Sequence, residues 1–348
     1  MNKPLLFLAL GAVACSTLAE TAGGDSNLPS SGVGPFRKLT GEEVRGAVVL
    51  DDKTLDYRAP SALPLGSGMA DALYFVVHDA ASGHDVIARS RATDGRSFYG
   101  AVQDVGHHPP TVLVSDQAWE GPDLGHPSVL AVAGGVWLYY ASNGAIGLAK
   151  SSDGFAFTKT GGPVLAADAL GPIDSASVAI LPDGTFDLML AQGGAIYEAT
   201  SADGSAFTRV DADPTTPAMD PVLVAGQGES PPFDTLGVAD PFLSPRTTEA
   251  GRLQIRVLYT GYAPSEAGVQ SSIGFAARYG TSGALERASG PVYAIGKHES
   301  APSLFPWQDG SLLYVEQDST DATYRQIGGA VAPATLTLSH PDPYPDSP

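Results

Sequence analysis

The chain has 348 residues, of which 43% are hydrophobic, with 41 Gly and 28 Pro. That is enough apolar side chain for a large core and a turn content typical of loop-rich β structure. A formal net charge of −19 repels phosphate backbones and anionic headgroups, which excludes nucleic acid as a partner class and reads as simple solubility. The single cysteine, Cys15, leaves no pair for a disulfide.

In chain order, the first element is a leader. Lys3 supplies a positive start, and Leu5 to Ala14 form an apolar run ending in small residues, the pattern of a signal peptide over residues 1–15 and too short to span a bilayer. Cys15 stands directly after Ala12-Val13-Ala14, which resembles the lipobox of bacterial lipoproteins and implies lipid attachment at Cys15. The expectation is an exported outer-membrane or cell-surface lipoprotein whose only membrane contact is that anchor. Cleavage after Ala14 or Ala19 would give a secreted or periplasmic protein instead. Residues 16–36, small, polar and rich in Gly, Ser and Pro, predict a flexible tether.

From residue 37 to 348 a repeat takes over. Five strand starts, Arg58-Ala-Pro-Ser, His126-Pro-Ser-Val, Asp174-Ser-Ala-Ser, Asp240-Pro-Phe-Leu and Glu299-Ser-Ala-Pro-Ser, lie roughly 50 to 67 residues apart, the length of one four-stranded sheet with its loops. Each is followed by a second strand of branched and aromatic residues: Ala72 to Val77, Val136 to Tyr140, Phe186 to Leu190, Leu253 to Tyr259 and Leu312 to Val315. An Asp-Gly hairpin signal recurs in Ser90 to Phe98, Ser152 to Phe157 and Ser201 to Phe207. Strands in sets of three or four, with no amphipathic helix between them, exclude βαβ folds. The predicted fold is all-β, a five-bladed β-propeller of four-stranded antiparallel blades around a central axis, with blades at about 56–115, 124–168, 173–224, 237–295 and 299–340.

The third unit, Ile173-Asp174-Ser-Ala-Ser-Val with its Asp-Gly turn, resembles the Ile-Asp-Pro-Ser-Val segment of glycoside hydrolase family 43. Gly125-His-Pro-Ser-Val and Asp240-Pro241-Phe242 are similar to the same template, and Glu299-Ser-Ala-Pro-Ser resembles the Glu-Gly-Pro segment that holds that family's general acid. The related family 32 shares the propeller. The resemblance implies cleavage of a glycosidic bond by paired carboxylates, one donating a proton and one activating water or attacking the sugar. It implies a catalytic set of Asp174 as base, Asp240 as orienting acid and Glu299 as proton donor, on blades three to five rather than on the family's first three. Arg58, Asp123, His126 and His298 would line the remaining wall and bind substrate, and Trp119 would be a stacking platform at the rim. The implied partner is an oligo- or polysaccharide.

Each of these residues has a plainer alternative. Asp before Pro or Ser caps turns, and a histidine is as readily a hydrogen-bonded structural residue. Trp137, inside a second strand, reads as core. The His107-His108 pair lacks the further ligands of a zinc site, and no phosphate loop or Gly-x-Ser-x-Gly elbow occurs, so no metal or cofactor is expected. The alternative to an enzyme is a non-catalytic glycan- or protein-binding surface lipoprotein on the same scaffold.

Overall fold

The computed structural model describes residues 33–44, 56–63, 71–92, 95–96, 98, 110–226, 233–307, 310–319 and 322–335. The leader with Cys15, most of the 16–36 segment and the His107-His108 pair lie outside them. All elements among the described residues are strands. A short strand β1 (Arg37–Lys38) precedes blade one, which holds β2 (Tyr57–Leu63), β3 (Asp71–Asp79), β4 (His84–Ala92) and β5 (Thr111–Leu113). Blade two holds β6 (Gly125–Val132), β7 (Gly135–Ser142), β8 (Ala145–Ser151) and β9 (Thr158–Lys159). Blade three holds β10 (Ser175–Ile180), β11 (Phe186–Gln192), β12 (Ala195–Ser201) and β13 (Thr208–Val210). Blade four has β14 (Gly237–Leu243), a small extra strand β15 (Arg246–Thr247), the long hairpin β16 (Leu253–Ser265) and β17 (Gly268–Tyr279), and β18 (Glu286–Arg287). Blade five is β19 (Ser300–Trp307), β20 (Gly310–Asp318) and β21 (Arg325–Ala332). Its outermost strand is β1, paired antiparallel with β21 through Arg37 opposite Val331. This early segment supplies the fourth strand of the last blade and so ties the two ends of the ring together, while blades five and one meet face to face through packed side chains.

The second strands of blades one, two and five hold continuous apolar runs because both of their faces are covered, while those of blades three and four carry the buried polar residues Asp187, Gln254 and Arg256 within the run. Leu312 and Tyr314 pack toward blade one, while Leu313 and Val315 pack toward blade four. Tyr139 faces blade three and Tyr140 faces blade one. Five apolar clusters follow, one between each pair of neighbouring blades.

The Asp-Gly repeats lock the blades together. Gly95, Gly154 and Gly204 have φ values of 65°, 76° and 72°, which only glycine adopts without strain. In each turn the glycine carbonyl accepts the hydroxyl of a tyrosine on the preceding blade: Tyr314 to Gly95, Tyr74 to Gly154 at 2.8 Å and Tyr139 to Gly204 at 2.9 Å. The phenylalanine that ends the repeat packs edge-on against the same tyrosine, with ring centroids 5.8 Å apart for Phe98 and Tyr314, 6.0 Å for Phe157 and Tyr74, and 5.9 Å for Phe207 and Tyr139. The three-fold motif is therefore an inter-blade clasp that gives a buried hydroxyl a partner while its ring is packed.

Candidate active site

Four of the five innermost strands break their ladder at the same point. Register shifts occur between Arg58 and Ser61, Gly125 and Ser128, Ala239 and Phe242, and Ser300 and Ser303. At each bulge a residue with positive φ precedes a proline: Ala59 (46°), His126 (42°), Asp240 (48°) and Ala301 (48°). Proline has no N–H for the ladder, so the bulge forms where the sequence writes x-Pro, and a non-glycine residue held at positive φ marks a position kept at some conformational cost. Blade three has Ser175-Ala176 instead of an x-Pro pair and pairs regularly from Ser175 onward, so Asp174 stands one position before the bulge residues of the other blades.

Serine side chains stitch these strands around the axis. The backbone N–H groups of Ala62, Val129, Val178 and Leu243 donate to the hydroxyl oxygens of Ser303, Ser61, Ser128 and Ser177, each on the preceding blade, at 2.9, 3.1, 3.0 and 2.9 Å. The belt is interrupted where Phe242 occupies the serine position. There the Ala301 N–H donates to Thr260 Oγ1 at 2.9 Å, and Thr260 in turn donates to Asp240 Oδ2 at 2.9 Å.

Above this belt lies a cavity of about 870 Å³. Of the residues singled out from the sequence, Arg58, Asp123, His126, Asp174 and Asp240 line it. Glu299 does not. Its side chain is fully buried and turned the other way, with Oε1 accepting the backbone N–H groups of Ile295 at 3.1 Å and Lys297 at 2.8 Å. The bulge that aims residues at the axis in blade five is Ala301-Pro302, and Glu299 precedes it by two positions. His298 also lies outside this cavity, its Nδ1 3.6 Å from Asp318 Oδ2. Trp119 is no rim platform. It stacks on Tyr140 at 6.1 Å within the packing between blades one and two, and its Nε1 is buried. Trp137 stacks on Phe186 at 5.3 Å between blades two and three.

The cavity also contains groups that the sequence reading missed. Glu316, in the second strand of blade five opposite Ser300, reaches the axis and accepts the Ala59 N–H at 3.1 Å through Oε2. It thereby places a carboxylate beside the blade-one bulge, whose own residue is alanine. Arg325 lies 3.2 Å from Glu316 Oε1 through Nε and donates to Asp318 at 2.6 Å. On the opposite flank of blade one, Arg58 pairs with Asp85 at 2.6 Å. Tyr262 completes the polar wall, and the exposed side chains of Leu236 and Val269 form an apolar lip. The signals were faint: a single acid at the end of the apolar run Leu312 to Val315, and an arginine opening the strand after it.

His126, Asp174 and Asp240, on consecutive blades, act on one another. His126 Nδ1 is 3.4 Å from Asp240 Oδ1. Asp174 is exposed at the cavity, whereas the side chains of Asp240 and Glu316 are 10% and 12% exposed. Partial burial raises the Asp174 pKa, which His126 lowers and the Asp240 charge raises further. Burial likewise raises that of Glu316, opposed chiefly by Arg325 and reinforced by Asp240. The Tyr262 hydroxyl is pushed up by burial and then by Asp240 and Glu316. One electrostatic unit thus spans blades two to five. Among the described residues no group of three or more His, Cys, Asp and Glu side chains is arranged to hold a metal ion.

The chain carries the five-bladed propeller fold of family 43-like glycoside hydrolases. No family model and no curated protein sequence matches it. Solved structures do. A thermostable family-43 glycoside hydrolase superposes with a TM-score of 0.58 at 15% identity, over 86% of this chain and 99% of that one. An endo-arabinase from Bacteroides thetaiotaomicron gives 0.55 at 12% identity, over 86% and 99%. A β-1,2-mannobiose phosphorylase from Listeria innocua gives 0.59 at 12% identity, over 86% and 97%.

Proposed function

We propose that the protein hydrolyses a glycosidic bond in the axial cavity, with Asp174 as proton donor and Asp240 as the carboxylate that activates water. The observation that carries this reading is the pairing of an exposed carboxyl of raised pKa, Asp174, with a more buried carboxylate, Asp240, fixed by Thr260 at 2.9 Å and flanked by His126 at 3.4 Å. Two carboxyls whose surroundings separate their roles are what the reaction needs. In the reaction Asp174 gives its proton to the leaving oxygen as the glycosidic C–O bond breaks. Water attacks the anomeric carbon and gives its proton to Asp240, and proton exchange with solvent resets the pair. Glu316 with Arg325 and Arg58 with Asp85 offer acceptors and donors to sugar hydroxyls, and the lip of Leu236 and Val269 covers an apolar sugar face. The excess of acids over arginines in this wall favours a neutral glycan. The folds of an endo-arabinase and a mannobiose phosphorylase support carbohydrate as the substrate class. Export as a lipoprotein through Cys15 would place the cavity where extracellular glycans are met.

A pH profile tests the proton-donor role. Asp174 works when protonated, so kcat/KM is expected to fall as pH rises through its raised pKa, and Asp174→Asn should remove that alkaline limb. A limb unchanged in the variant assigns the donor elsewhere. The second reading, a glycan-binding propeller without catalysis, is favoured by one observation: two of the four bulge positions, Ala59 and Ala301, carry no functional group.

A further inference from the structure

The ladder registers show that the rim of the axial cavity is uneven. Val76, Ala141, Ala191, Thr260 and Glu316 stand at one level of the five second strands, opposite Arg58, Gly125, Ser175, Ala239 and Ser300. Past that level the strand runs on for one residue in blades two and three, to Ser142 and Gln192. It runs on for two in blade five, three in blade one and five in blade four, to Ser265. At about 3.3 Å per residue, the blade-four hairpin stands roughly 13 Å taller than those of blades two and three. The low hairpins close on Asn143-Gly144 and Gly193-Gly194, all at positive φ, as two-residue turns require. Asn143 donates its amide to the Trp119 carbonyl at 3.0 Å, and Gly144 and Gly194 meet the cavity without a side chain. On the tall side, Val269 near the hairpin tip and Leu236, whose N–H donates to the Tyr262 carbonyl at 2.9 Å, line the cavity at 52% and 56% exposure. The Glu316–Arg325 and Arg58–Asp85 pairs bound it on blades five and one. Among the described residues it is therefore walled by blades four, five and one and lowest over blades two and three.

We propose that the axial cavity captures the non-reducing end of a glycan chain, with the blade-four hairpin as the end wall and the rest of the chain leaving over Gly144 and Gly194. This mode of attack rests on the hydrolytic reading of the axial site and extends it. Asp174, on blade three, stands at the low side, and Asp240, on the blade that carries the hairpin, at the walled side. The donor protonates the bridging oxygen, so the part of the substrate beside Asp174 departs as the leaving group when the C–O bond breaks. That part faces the low rim and can be of any length. The sugar whose anomeric carbon takes the water lies on the Asp240 side. There the exposed Val269 and Leu236 side chains cover its C–H face, and the hairpin stands in the path of any further residue. A chain bound through its interior would need a low rim on both sides.

The test sizes the products of long linear neutral glycans from the start of the reaction. Wild type is expected to release one short unit throughout and to leave chains with a blocked non-reducing end intact. Replacing residues 263–270 by Asn-Gly joins Tyr262 directly to its ladder partner Ser271 and removes the wall. That protein is expected to release fragments of several lengths and to accept blocked chains. Val269→Ser keeps the hairpin and serves if the shortened protein does not fold: KM is expected to rise about three- to tenfold with the product unchanged, the loss of one apolar contact. Binding is read without turnover by calorimetric titration of Asp174→Asn with short and long members of one linear series. One protein per chain at every length is expected, and none on blocked chains. Several proteins per long chain, mixed fragments from wild type at the outset, or wild-type products from a folded shortened protein overturn end capture and leave hydrolysis standing. One protein per chain without release by wild type contradicts hydrolysis and leaves end capture standing. Neither binding nor release with any glycan overturns both.

Discussion

Replacing Asp174 by Asn is expected to lower kcat by about 10²- to 10⁴-fold, the usual contribution of a positioned acid or base, with Tm unchanged because the side chain is exposed at the cavity. Asp240→Asn should cost a similar factor through a different route. The amide oxygen introduced by that substitution could still accept from Thr260 Oγ1, so the loop keeps its shape, but the amide can no longer take a proton from water or balance His126. Residues that act as a unit are strongly non-additive. The double variant should therefore be little slower than the worse single one, as read by steady-state kinetics on whichever glycan the wild type cleaves. Effects that multiply would mean that the two carboxyls serve separate steps.

The second large effect is on stability. Asp187 on β11 and Glu198 on β12 are buried between blades three and four with one guanidinium, Arg278, which pairs with Glu198 at 2.5 Å. Neither Asp187 oxygen has a conventional partner among the described residues. Burial, and then the neighbouring Glu198, push the Asp187 pKa well above the ordinary carboxylate range. The folded protein therefore holds a proton that the unfolded chain releases. Stability from this group is present in full below the unfolded pKa and is lost as pH rises toward the folded one. Asp187→Asn supplies a permanent N–H donor to Glu198 and is expected to stabilise by about 1 to 3 kcal/mol at about pH 8, the scale of an unsatisfied buried polar group, while flattening the pH dependence between about pH 4 and 8. Arg278→Leu should do the reverse, costing about 3 to 5 kcal/mol by leaving Glu198 unpaired. Denaturant unfolding at several pH values reads both, and an Asp187→Asn protein that is less stable than wild type in mild alkali would show that Asp187 is ionised and paired.

The fold was legible because its signals are local. Second strands buried on both faces read as largely apolar runs, broken only by Asp187 in blade three and by Gln254 and Arg256 in blade four, and the Ser, Asp-Gly and Phe spacing marks turns whose tyrosine partners recur one blade earlier. The closure by Arg37 and Lys38 was not legible as a strand, since two polar residues carry no periodicity and their pairing with β21 depends on the ring being complete. At the site, His126 and Asp240 stood out because an x-Pro pair fixes both bulge and side-chain direction. Glu299 misled for the same reason: its motif contains the proline, but the bulge residue is Ala301, and Glu299 stands two positions earlier, before β19 begins, where its carboxylate is taken up by the backbone N–H groups of Ile295 and Lys297. Glu316 was hidden because nothing local distinguishes it. Its place at the axis comes from its register opposite Ser300 and from the gap left by Ala59.

The most direct test of the axial assignment is to incubate the wild-type protein with a panel of neutral oligo- and polysaccharides and to measure newly released reducing ends. Release from at least one glycan, abolished in Asp174→Asn, is the expected result. Saturable binding in the axial cavity with no release from any member of the panel would contradict it and establish the propeller as a binding module.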